Sequence, residues 1–253
     1  GAMYGKRERK KPSRDMSYRK ERFLALTDSE FHRITYYEWG NPNAERTLLC
    51  IHGLTRNGHD FDFLANELQN NFRVICPDMP GRGLSYPLKD KTNYLFDHYT
   101  NQISQLIVRL HCESIDILGT SMGGVVAMKL ASKLNSPANR LILNDVGTFV
   151  PGVVFKMIKE TVAERPHAFS SLEEATDFMT SYVKTFGPMT REMITEMTRN
   201  SIRQLPDGHW EMNFDPQIVV PYEIKEPEDL DLNNEWESII CPTLLLKGEN
   251  SPI

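Results

Sequence analysis

"IDILGTSMGGVVAM", residues 115–128, decides the fold. A short apolar run leads into Gly119, Thr120, Ser121, Met122 and Gly123, and small residues then open a helical pattern. Glycines at 119 and 123 permit a tight strand-to-helix turn that lifts the Ser121 side chain above a sheet. A helix N-terminus there offers N–H groups and a positive dipole end to a developing oxyanion. Ser121 is therefore a candidate nucleophile and the Met122 N–H a candidate oxyanion donor. G-x-S-x-G alone arises by chance in about one chain in ten of this size. Its seat between strand and helix makes it specific.

Outward from this turn, similar apolar runs recur as "TLLCIHG" (47–53), "FRVICPD" (72–78), "RLILNDVG" (140–147) and "PTLLLKGE" (242–249). Each ends near Gly, Asp or Pro and reads as a buried parallel strand. Between them, "DFDFLANELQN" and "DHYTNQISQLIVRLH" space apolar residues three and four apart. Alternating β and α units predict an α/β fold with a doubly wound, mostly parallel sheet. "FHRITYYEWG" (31–40) alternates and reads as part of an N-terminal antiparallel hairpin.

The rhythm breaks over 149–236, where "PGVVFKMIKETVAE", "SLEEATDFMTSYVKTF" and "TREMITEMTRNSIRQL" are helical. A turn, "PDGHW", precedes alternating Trp210, Met212 and Phe214, the pattern of a short strand. The expected organisation is a core of residues 21–148 and 237–253, with 149–236 inserted as a helical cap. Met189, Met193 and Met197 fall four apart, one stripe of a cap helix. Residues 1–20 are expected to be a disordered basic tail: "GAM" resembles a cleavage remnant, and "KRERKKPSR" packs six Lys or Arg into nine residues.

A second oxyanion donor is expected from the loop after an earlier strand. "CIHGLTRNGHDF" supplies it: His52 and Gly53 shape the loop, and the Leu54 N–H faces the same oxygen. His52 reads as a locally bonded loop histidine. "DMPGRGLS" (78–85) is Gly-rich but lacks both phosphate-loop patterns, so it reads as a shaped turn.

Together, "CIHGLTRNGHDFDFLANEL", "VICPDMPGRGLS", "GTSMGGVVAMKLA" and "LILNDVG" resemble the α/β-hydrolase fold superfamily, in its capped, esterase-like branch, over about residues 30–253. The resemblance implies a Ser-acid-His hydrolase with no metal or cofactor, a small-molecule acyl substrate and a substrate-selecting cap. Related enzymes that cleave epoxides or carbon–halogen bonds carry Asp at the position of Ser121, which argues against both activities. The acid often follows the strand that here reads "LLLKGENSPI", as the second residue of a Ser-Asp pair, but Ser251 is followed by Pro252. The other position used in the superfamily is Asp145, whose alternative role is to bond loop N–H groups.

A serine hydroxyl needs a base. Only His167 and His209 follow Ser121, and both read as exposed cap residues. The resemblance places the histidine beyond one more strand, whereas this sequence stops at Ile253. The expectation is a C-terminally truncated chain, weak or inactive, lacking the last strand and helix and self-associating through the sheet edge at 243–247. The alternatives are a non-catalytic binding protein of the same fold, or hydrolysis of a C–C bond or thioester.

Composition narrows the partners. A net charge of -5 makes no electrostatic case for nucleic acid, and no apolar run is long enough for a membrane span. Cys50, Cys76, Cys112 and Cys241 show no C-x-x-C spacing and read as free thiols, which points to the cytoplasm.

Overall fold

The computed structural model describes residues 6–11 and 14–249. The "GAM" segment and the Ser251–Pro252 pair lie outside the described residues. Three antiparallel strands open the chain: β1 (Lys6–Lys11), β2 (Arg14–Leu26) and β3 (Phe31–Trp39). Alternation follows as β4 (Thr47–Ile51), α1 (Asp62–Leu68), β5 (Arg73–Pro77), α2 (Phe96–Arg109), β6 (Ile115–Thr120), α3 (Met122–Ala131) and β7 (Ala138–Asn144). Next come β8 (Phe149–Val150), α4 (Gly152–Glu164), β9 (Ala168–Phe169), α5 (Leu172–Tyr182) and α6 (Arg191–Ser201). The chain continues through β10 (Ile202–Gln204), β11 (Trp210–Met212), β12 (Leu230–Asp231) and α7 (Asn233–Ser238), and rejoins the sheet as β13 (Thr243–Leu246).

The main sheet has the order β1-β2-β3-β5-β4-β6-β7-β13. Strands β5, β4, β6, β7 and β13 are mutually parallel, and β3 joins β5 antiparallel. Strand pleat divides the core in two, because successive side chains point to opposite faces. Leu48, Cys50, Val74, Cys76 and Leu118 face a cluster with Phe61 and with Ala65 of α1. Leu49, Ile51, Ile75 and Ile117 face the larger cluster, built with Ile103 and Leu106 of α2 and Val125 and Val126 of α3. Strands packed on both faces must be apolar at every position, which is why they read as unbroken apolar runs.

This winding fixes where a site can form. From β4 the chain leaves to α1 on one face, while from β6 it leaves to α3 on the other. β4 and β6 are neighbours, so their C-terminal loops part and leave a crevice between them, the usual ligand position in an open α/β sheet.

Three features differ from the sequence reading. The basic stretch is not a free tail at 6–11: it forms β1 and pairs along β2, with Lys6 opposite Arg19 and Lys11 opposite Arg14. Ladder pairing uses backbone groups, so basic side chains do not prevent it. In the segment after β7 the short strand expected around Trp210–Phe214 is present as β11, but it is joined by β10 and β9 in a small antiparallel sheet that the helical pattern did not suggest. Its ends are tied where β12 pairs with β8. The methionine stripe is split: Met189, just before α6, and Met197 pack against the core cluster, while Met193 is exposed and Ile194, Thr198 and Ser201 form the buried face. No helix among the described residues is long and apolar enough to cross a membrane.

Leu49 is completely buried and Leu134 is 95% exposed. Leu49→Ala is expected to lower unfolding free energy by about 2–5 kcal/mol, and Leu134→Ala to change it by under about 0.5 kcal/mol. Urea unfolding of both variants measures the contrast.

Candidate active site

Ser121 stands at the carboxyl end of β6 with φ 52° and ψ -115°, a conformation that costs a non-glycine residue energy. Close packing holds it there. A Cβ on Gly119 would lie 2.3 Å from the Gly123 carbonyl oxygen, and one on Gly123 would lie 2.1 Å from that of Ile51. Only glycine lets the first turn of α3 press so closely on β4 and β6. The Ser121 N–H donates to the Asn144 carbonyl at 3.0 Å, tying the turn to β7. Its hydroxyl does not cap the helix. Met122 is the first residue of α3, so its N–H has no acceptor within the helix.

Gly53 lies across the crevice, where an added Cβ would be 3.8 Å from Ser121 Cβ. The loop that carries it is held by His52, which is fully buried. His52 Nδ1 is 2.7 Å from the Gly53 carbonyl oxygen, and its Nε2 accepts the Met79 N–H at 2.9 Å. Those partners require the neutral Nδ1–H tautomer, and burial pushes the imidazole pKa down to about 3. Both ring nitrogens are committed, so His52 is not a proton acceptor for Ser121.

Arg82 supports the same loop. It is fully buried, and its Nε donates to the Leu54 carbonyl at 2.8 Å. Its Nη1 donates to the Pro80 carbonyl at 2.8 Å and to Tyr99 Oη at 2.9 Å, while Nη2 lies 3.6 Å from Met122 Sδ. One guanidinium therefore touches both residues whose N–H groups are the candidate oxyanion donors. The sequence reading missed Arg82, since the "DMPGRGLS" turn conceals which residue points inward. Asp78 fills that turn: its carboxylate accepts from the Gly58 and Leu84 N–H groups and from Tyr37 Oη, at 2.8, 2.9 and 2.8 Å. Burial raises the pKa of its carboxyl group.

Asp145 follows β7, the strand beside the one that ends in Ser121. It adopts φ 57°, and its N–H donates to the Leu246 carbonyl at 2.8 Å. Its Oδ1 is buried without a hydrogen-bond partner among the described residues. A side chain serving only to bond loop N–H groups would have that oxygen satisfied.

None of the seven histidines hydrogen-bonds to Ser121 or Asp145 among the described residues. His32 bonds Gln102 at 3.0 Å, His59 bonds Asp62 at 3.0 Å and His167 bonds the Val162 carbonyl at 2.9 Å. His98 faces Asp28 and His209 faces Asp207. No group of His, Cys, Asp and Glu among the described residues could hold a metal ion.

The segment after β7 reaches back to the loop that follows β4. Tyr182 Oη lies 3.4 Å from Thr55 Oγ1, Arg165 Nη1 donates to the same hydroxyl at 3.3 Å, and Asn57 donates to the Asn200 carbonyl at 2.9 Å. Arg56 below is neutralised by a two-point pair with Asp60, at 2.9 and 2.7 Å.

Comparison with known proteins agrees with this architecture. Residues 46–191 match a family model described as the alpha/beta hydrolase fold. A curated relative, the 3-hydroxybutyrate-oligomer hydrolase of Cupriavidus necator, is 36% identical over 236 residues, covering 90% of this chain and 80% of that protein. A solved structure from Rickettsia typhi has a TM-score of 0.81 and 31% identity, covering 93% of this chain and 86% of the other. An alpha/beta hydrolase from Novosphingobium aromaticivorans has a TM-score of 0.79 and 26% identity, covering 92% and 81%.

The depressed His52 pKa sets a pH signature. Below its ordinary value of 6.5 the unfolded chain binds a proton at His52 and the folded chain does not, down to about 3. Its stabilising contribution is complete above 6.5 and declines by up to about 1.4 kcal/mol per pH unit as pH falls. Urea unfolding from pH 7 to 4 should therefore show the advantage of wild type over His52→Asn shrinking. A constant difference would contradict the buried neutral imidazole.

Proposed function

The chain belongs to the alpha/beta hydrolase fold family and is an enzyme of the hydrolase class, and from that premise we propose that it cleaves a carboxylic ester through an acyl intermediate on Ser121. One observation carries the reading. Ser121 is held in a left-handed turn at the crevice between β4 and β6, facing the Gly53–Leu54 loop, with its hydroxyl not used as a helix cap. In this proposal Ser121 Oγ adds to the ester carbonyl carbon, and its proton passes to a water molecule, which later hands a proton to the departing alkoxide. The Met122 and Leu54 N–H groups receive the oxyanion. The carbon–oxygen bond to the alcohol then breaks, and the alcohol leaves protonated. Water hydrolyses the acyl-serine, releasing the acid and restoring the hydroxyl.

Asp145 is the acid in this scheme, and its unpartnered Oδ1 is the observation that favours it. The segment 149–236 acts as a cap over the crevice, docked on Thr55 and Asn57. The ester class is supported by the relative named as a 3-hydroxybutyrate-oligomer hydrolase, whose name specifies esters of a short hydroxy acid. Because no histidine among the described residues bonds to Ser121, catalysis by this chain is weak. The same observation favours the second reading, a binding protein of this fold that does not turn over its ligand.

Turnover of 4-nitrophenyl butyrate decides between them. The expected rate is about 10³–10⁴ above the water reaction, the yield of an oxyanion site without a complete triad. Ser121→Ala should abolish labelling by a fluorophosphonate, and Asp145→Asn should slow it. Labelling that persists in Ser121→Ala would overturn the assignment of the nucleophile. Turnover no faster than in water would favour the binding protein.

A further inference from the structure

Arg165 follows α4, with its backbone N–H donating to the Thr161 carbonyl at 3.1 Å. Its side chain returns to the loop after β4, where Nη1 donates to Thr55 Oγ1 at 3.3 Å. The guanidinium lies 4.9 Å from the centre of the Tyr182 ring and 5.9 Å from that of Phe214. Nε is buried and has no hydrogen-bond partner among the described residues.

Five other arginines in the body of the protein are better satisfied. Arg19 and Arg73 share Glu38, Arg46 pairs with Asp116, and Arg56 with Asp60. Arg82 lacks a carboxylate but donates to two carbonyls and a phenol. Arg165 has one long bond to a neutral hydroxyl and two aromatic faces. A partly desolvated cation left this way is costly unless an anion completes it. Its planar fork of N–H donors matches a carboxylate, which it can grip at two points. The rings restrict the guanidinium plane and so reduce the ordering cost of that grip.

Position supplies the rest. Thr55 is the residue after Leu54, so the guanidinium meets the loop one residue from a proposed oxyanion donor. We propose that Arg165 binds a carboxylate of the substrate, so that the protein selects esters carrying a free acid group over neutral esters. This inference rests on the ester-hydrolase reading for its substrate class, while the anion site itself rests on the unsatisfied guanidinium. A monoester of a dicarboxylic acid or a carboxylate-ended ester of a hydroxy acid would bridge Arg165 and Ser121. The same segment carries other basic residues, among them Lys156, Lys159, Arg191, Arg199 and Arg203. Arg203, for example, already pairs with Glu211 at 2.6 Å.

The test is calorimetric binding of monoethyl glutarate and diethyl glutarate to the full chain carrying Ser121→Ala, which cannot form an acyl intermediate. The monoester is expected to bind about 10- to 100-fold more tightly, the yield of a charge-assisted pair, with the preference shrinking at high salt. Adding Arg165→Gln should erase the preference, and Arg165→Lys should retain part of it because the charge remains. Equal affinities with Arg165 present, or a preference that survives Arg165→Gln, would overturn the proposal. Thermal unfolding identifies a misfolded Gln variant, in which case the Lys variant decides: a preference as large as with Arg165 counts against the guanidinium. Failure of the ester-hydrolase reading is separately visible. Monoester preference without Ser121-dependent fluorophosphonate labelling of the wild type leaves the anion site standing and removes the hydrolysis.

Discussion

The contact on which the site depends is the approach of the Gly123 α-carbon to the Ile51 carbonyl oxygen. There is no room for a side chain, since a Cβ would stand 2.1 Å from that oxygen. This contact brings α3 against the end of β4, just where β4 yields to the His52–Gly53 loop. With Gly119 packed on Gly123 from β6, three pieces of backbone meet with no side chain between them. Ser121 is left with a single route, the left-handed turn that carries its hydroxyl toward the loop. The strain is local and is offset by the many small dispersion contacts of the surrounding core.

The loop facing Ser121 is held by polar groups that are almost completely satisfied. His52 bridges Gly53 and Met79, Arg82 holds the Leu54 carbonyl, and Asp78 gathers N–H groups from two separate loops. Buried polar groups of this kind rigidify a site because each would cost energy if it moved away from its partners. Against that background the unsatisfied atoms stand out. Asp145 Oδ1 lies beside the elbow and Arg165 Nε beside the loop. Both belong to groups capable of charge.

Much of this was legible in the sequence. The inner parallel strands were visible because strands covered on both faces are largely apolar, whereas β13 was visible from its leucine run although Leu244, Leu245 and Leu246 are exposed. The glycines around Ser121 were legible because their function is steric and local. His52 as a fixed loop residue was also foreseeable from the His-Gly pair that follows β4. Less was visible where pairing depends on backbone alone. The basic stretch at 6–11 carries no apolar signal, yet it pairs with β2. β11 showed in the alternation of Trp210 and Met212, but β9 and β10 are two or three residues long, too short for a period to register.

By itself the sequence determined the doubly wound fold, the elbow serine and the loop opposite it, because each follows from local periodicity or from the steric demands of glycine. Tertiary structure alone decided which charged groups face the crevice. Arg82 and Arg165 look like any other arginine in the chain, and Asp145 like any loop aspartate. Their significance lies in partners that are distant in sequence, Leu54 for Arg82 and Thr55 for Arg165, or lacking among the described residues, as for Asp145 Oδ1. Whether a buried charge is satisfied depends on every element packed around it. No window of neighbouring residues contains that information.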